Sequence, residues 1–130
     1  MSARFVDVLN SIENMHALKG VSDEVIREAE KELGLVFSPE YYEYLKQYGV
    51  ASAKGHEFTG LGSSNRLSVI YNTIQERELH PKMPGSYYVV EQCNIDGIVI
   101  LQSPDSKVFM IGSDGIIQFI SGSLAEYLEK

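Results

Sequence analysis

Three histidines, His16, His56 and His80, and the single cysteine Cys93 are the side chains best suited to hold a metal or act as nucleophiles. Structural zinc sites draw on Cys and His clustered at short spacings. Here the histidines fall far apart, on segments that read as a helix, a strand and a loop, and Cys93 is close to none of them. Calcium-loop and zinc-deaminase patterns are absent as well. Cys93 closes an apolar run just ahead of a turn, which suits a small buried hydrophobe better than an activated thiolate. Ser-His-Asp chemistry lacks its Gly-x-Ser-x-Gly elbow. Gly60-Leu61-Gly62 lacks the third glycine and the βαβ frame of a dinucleotide loop, so it reads as a turn. The expectation is a protein with no metal, no cofactor and no catalytic residues.

Carboxylates are plentiful, and paired carboxylates can perform acid–base work. Asp96, Asp105 and Asp114 occupy successive hairpin turns. Aspartate favours such turns because its side chain bonds nearby backbone amides. Alternate turns of a meander share one end of the sheet, which puts Asp96 and Asp114 together and Asp105 opposite. Glu24, Glu28, Glu30 and Glu32, interspersed with Arg27 and Lys31, read as a solvated helix face with i,i+4 pairs.

The elements that position these residues follow from periodicity. Phe5, Val8, Leu9, Ile12 and Met15 mark one helical stripe, with Lys19-Gly20 as its exit. Ser22 caps a second helix whose apolar face is Val25, Ile26, Ala29 and Leu33, ending at Gly34. Ser38-Pro39-Glu40 opens a third, which carries Tyr41, Tyr42, Tyr44, Leu45 and Tyr48 and stops at Gly49. Those tyrosines exceed one buried stripe, so at least one belongs at a rim. Ser52-Ala53-Lys54 reads as loop, and His56 to Gly62 as a short strand with a turn. Leu67, Ile70, Tyr71 and Ile74 mark a fourth helix, broken by His80 to Gly85. Strands follow at Tyr87–Cys93, Ile98–Leu101, Val108–Ile111 and Ile116–Ile120, the second of them buried on both faces. Ser123 and Glu126 frame a closing helix. The fold class expected is α+β: an antiparallel meander of about five to six strands with helices packed against it, as one domain over residues 1–130.

Of the 130 residues, 18 are Asp or Glu and 11 are Lys or Arg, a formal net charge of −7. Such a surface repels nucleic acid and anionic membranes and attracts basic partners. The longest apolar runs fall short of the roughly 20 residues a spanning helix needs. The opening Met1 to Val8 breaks its apolar residues with Arg4 and Asp7, unlike a secretory leader. With one cysteine no internal disulfide forms, and a cytoplasmic location is expected.

The segment Ser22–Gly49 resembles the SUKH superfamily, also described as Smi/Knr-type domains. It carries Ile26-x-x-x-Glu30, then Leu33-Gly34, an apolar pair, the helix-opening Pro39, and a tyrosine-bearing helix with Leu45. Ser38-Pro39 and Tyr48-Gly49 stand where the family usually has Leu-Pro and Asn-Gly. Further on, Pro84, Tyr87 to Val90, Asp96-Gly97, Val108 to Met110 and Ser123 to Leu128 follow its strand order and closing helix. The resemblance implies an immunity protein that binds and neutralises a polymorphic or contact-dependent toxin, often a nuclease; eukaryotic relatives imply a regulatory scaffold instead. A nuclease site must be basic, which an acidic inhibitor complements. Interface hot spots favour aromatic anchors. The candidates are Tyr41, Tyr42, Tyr44, Tyr87 and Tyr88, with Glu91, Asp96 and Asp114 as the charged rim.

Overall fold

The computed structural model describes residues 4–130. Met1, Ser2 and Ala3, which form part of the stretch read for a leader, lie outside the described residues.

The chain begins with α1 (Phe5–Asn10), which buries Phe5, Val6, Val8 and Leu9. The helical stripe predicted through Met15 stops early. The Ser11 hydroxyl donates back to the Val8 carbonyl at 2.7 Å, and Asn14 takes the left-handed conformation, with φ 65°. The following residues form β1 (His16–Lys19), so His16 lies on an exposed edge strand and not on a helix.

Helix α2 (Asp23–Leu33) forms as its sequence predicts. The Ser22 hydroxyl accepts from the Val25 amide, and Gly34 ends the helix at φ 67°, a left-handed angle that costs glycine little. Ile26, Ala29 and Leu33 are buried, while Val25 is exposed. The Glu30 carboxylate accepts the Phe37 amide at 2.9 Å and so ties down the connection to α3 (Pro39–Gln47). Ser38 caps α3 by accepting from the Tyr41 amide at 3.0 Å.

Tyr48 is already extended and leads straight into β2 (Tyr48–Ala53), where the sequence pattern suggests a helix exit and a loop. Then come β3 (His56–Phe58), α4 (Val69–Leu79), β4 (Tyr88–Gln92), β5 (Val99–Gln102), β6 (Val108–Ile111), β7 (Ile117–Ser121) and α5 (Leu124–Glu129). The seven strands of the described residues join one sheet in sequence order, β1 to β7, each antiparallel to the next. The fold class is α+β, and β1 and β2 take the strand count above the expected range. Gly60 permits a close passage here: a Cβ on it would lie 1.6 Å from the Gly49 carbonyl oxygen.

Side chains alternate between two apolar layers. Tyr88, Val90, Ile100 and Val108 face the main core, with residues of α1, α2, α3 and α5. Val89, Val99, Leu101 and Ile111 face the other way and pack with Met83. Val99, Ile100 and Leu101 of β5 are buried, as their uninterrupted apolar run predicts, and so is Gln102, while Ile98 just before the strand is half-buried.

Candidate functional site

Burial divides the residues that the sequence nominates for an interface. Tyr41, Tyr44 and Tyr88 have no exposed surface, so, contrary to the expectation from sequence, they cannot anchor a partner. Their hydroxyls are spent inside the core. Thr59 donates its hydroxyl to the Val89 carbonyl at 2.8 Å, which leaves its oxygen to accept from Tyr41 at 2.9 Å. Tyr44 donates to the Thr59 carbonyl at 2.9 Å. Tyr88 donates to Oε1 of Gln102 at 2.7 Å and accepts the Ser38 amide at 2.9 Å. Burial pushes all three phenols above their ordinary range. Tyr42 is the rim tyrosine: half-buried, it donates to Asp23 at 2.6 Å beside Lys46. That hydrogen bond is the largest cause holding Asp23 below the usual carboxylate range.

Glu91 is also buried, so it is no part of a charged rim. A bulge between Val89 and Glu91 shifts the register of β4 against β5. The carboxylate receives Nδ1 of His56 at 3.0 Å, the Tyr127 hydroxyl at 2.5 Å and the Glu57 amide at 3.2 Å. Burial, followed by its own hydrogen bond to Glu91, raises the Tyr127 phenol. Cys93 lies nearby, and burial followed by the Glu91 charge raises its thiol, opposite to the shift an activated thiolate requires. Sequence reasoning missed this cluster because its members come from β3, β4 and α5. Among the described residues, no group of three or more His, Cys, Asp or Glu is placed to hold a metal ion.

The remaining candidates share the sheet's outer face and one of its ends. Tyr87 is half-buried and stacks on Phe109, with ring centroids 4.9 Å apart and planes 17° apart. Phe109 meets Phe119 edge-on at 5.9 Å. Register explains the Phe109–Phe119 contact, since Leu101 pairs with Phe109 and Phe109 with Phe119 across β5, β6 and β7. Phe119 is 59% exposed on the outermost strand. At the sheet end, Asp96 and Asp114 sit on touching turns: a Cβ on Gly97 would lie 3.3 Å from Cβ of Ser113. Both aspartates are exposed, as are Ile95 and Ile116 on the same turns. Sequence reasoning missed Phe119, which alternation along a strand cannot separate from a core residue when both faces are apolar.

Helices stacked on one face of a single meander, with an aromatic row on the other, define a compact α+β domain of the SUKH type. The chain belongs to the family SUKH_5, described as SMI1-KNR4 cell-wall, which matches it over residues 4–130. No curated protein matches the chain. No helix among the described residues is long and apolar enough to cross a membrane.

Proposed function

We propose that this protein is an immunity protein that grips a toxin domain of the nuclease class and blocks it without catalysis. The observation that carries this reading is the outer face of the sheet, where the row Tyr87, Phe109 and Phe119 runs from the start of β4 to an exposed ring on the edge strand β7. Aromatic side chains supply contact area at a low entropic cost and dominate interface hot spots. The net charge of −7, with Asp96 and Asp114 at the end of that face, favours a basic partner. Cytoplasmic residence accords with the lone cysteine.

A second reading, a regulatory scaffold that binds endogenous proteins, draws its support from the cell-wall description of the family. Gene neighbourhood separates the two, since a large toxin gene next to this one favours immunity. The direct test is co-expression with that neighbouring toxin. Survival is expected with the wild-type protein and reduced survival with Phe119→Asp. Equal killing with and without the wild-type protein rejects the immunity reading.

A further inference from the structure

Helix α4 departs from its sequence pattern. Beside Val69 it buries the polar Asn72, Thr73 and Glu76, and it leaves Tyr71, Ile74 and Leu79 exposed. Two of the buried polar residues have structural duties. Thr73 accepts the Val89 amide at 3.0 Å, where β3 has ended and no strand can serve β4. Asn72 donates to the Arg66 and Ser68 carbonyls at 3.0 and 2.8 Å, which secures the start of the helix.

Glu76 has no comparable duty. It is only 5% exposed, yet among the described residues one carboxylate oxygen receives only Nε2 of Gln92 at 3.4 Å, and the other lies 3.8 Å from Nε2 of His80. Charge-assisted hydrogen bonds normally measure about 2.7–2.9 Å. A carboxylate removed from water needs closer donors than these. It lines a cleft of about 370 Å³ between α4 and the β3–β4 side of the sheet. Tyr71, Gln75 and Leu79, one helical turn apart, form one wall, and Gln92 and Asn94 face them. Glu57 and Arg66 also line the cleft, but they neutralise each other through two bonds of 3.0 and 3.2 Å.

We infer that this cleft seats a guanidinium group, carried by an arginine side chain of the protein that binds here. Glu76 supplies the unmet charge, and the amide oxygens of Gln75 and Asn94 supply further acceptors. Tyr71, 47% exposed, offers a ring face on which a flat cation stacks. The volume is near the small end of the roughly 300–1,000 Å³ typical of ligand sites, which suits one side chain. The source of the arginine rests on the protein-binding reading above; recognition of the guanidinium does not.

The test is an NMR titration of the isotope-labelled protein with N-acetyl-arginine methylamide, alongside its citrulline counterpart, which carries a neutral urea of the same shape. The arginine probe is expected to shift the side-chain amide signals of Asn72, Gln75 and Gln92 saturably, and the citrulline probe to leave them in place. Glu76→Gln is expected to weaken arginine binding roughly 10- to 100-fold. Should that variant not fold, Tyr71→Ala removes an exposed ring and is expected to weaken binding about threefold. Equal responses to the two probes, no response to either, or wild-type affinity in the folded variants overturns the site. No partner protein enters this titration. A responding cleft with failed co-expression rejects immunity alone, and a silent cleft with successful protection rejects the guanidinium site alone.

Discussion

Tyr88 and Phe119 are both aromatic residues on strands, and their surroundings assign them opposite work. The Tyr88 hydroxyl accepts the buried Ser38 amide and donates to Gln102. Tyr88→Phe strands that amide, so a loss of about 1–3 kcal/mol is expected in urea denaturation. An unchanged midpoint shows that the amide finds another acceptor. Phe119 is largely exposed but rests edge-on against Phe109, so Phe119→Asp is expected to lower stability by only about 0.5–1.5 kcal/mol. The same change is expected to cost about 2 kcal/mol or more of partner affinity, read by calorimetry, if the ring is an anchor. Full affinity in Phe119→Asp removes the ring from the interface. The motif residue Glu30, by contrast, is accounted for within the fold, because its carboxylate holds the Phe37 amide.

At the scale of elements, Glu40 joins α3 to the closing helix. Its carboxylate accepts the Leu124 and Ala125 amides at 2.7 and 3.0 Å, and Nε2 of Gln102 at 2.8 Å. The two backbone amides belong to the N-terminus of α5, beside the cap that Ser123 gives the Glu126 amide. Burial is the largest influence on Glu40 and raises it above the usual carboxylate value of 4.5, while the three donors pull it back. An acid with a raised folded-state pKa binds its proton more tightly when folded. Its contribution to stability is therefore complete below the unfolded value and declines as pH rises through the folded one. Wild-type stability is expected to fall relative to Glu40→Gln across that window, measured by denaturation at stepped pH. Parallel curves for the two proteins reject the linkage. Elements also show where sequence patterns mislead. In α4 the apolar residues Tyr71 and Ile74 mark a helix correctly but not its buried face, because the end of β3 leaves a backbone amide that needs Thr73.

For the whole molecule, the net charge of −7 sets a field that acts before contact. Steered association gains most at low salt and fades as the screening length shrinks to about 8 Å at physiological ionic strength. Reversing Asp96 and Asp114 to lysine is expected to slow association with a basic partner about tenfold at low salt, and far less at high salt, by stopped-flow mixing. A salt-independent rate excludes that end of the sheet from the encounter. The pairing of the two turns is a property of the meander: β4–β5 and β6–β7 reverse at the same end, which brings Gly97 against Ser113.

Local chemistry alone determined most of the elements of this protein. Ser22, Ser38, Ser68 and Ser123 each cap a helix through their own hydroxyl, and a cap depends on neighbours within one turn. The apolar run of β5 and the Asp-Gly turn before it were legible for the same reason. Tertiary structure alone decided that β1 and β2 are strands, because each needs a partner far along the chain to satisfy its backbone. It alone decided which aromatic rings are core and which are surface, since Tyr41, Tyr44 and Tyr88 share a composition with Tyr42 and Tyr87 but lie beneath other elements. Exposure belongs to a residue's three-dimensional neighbours, and periodicity along one segment carries no record of what packs across it.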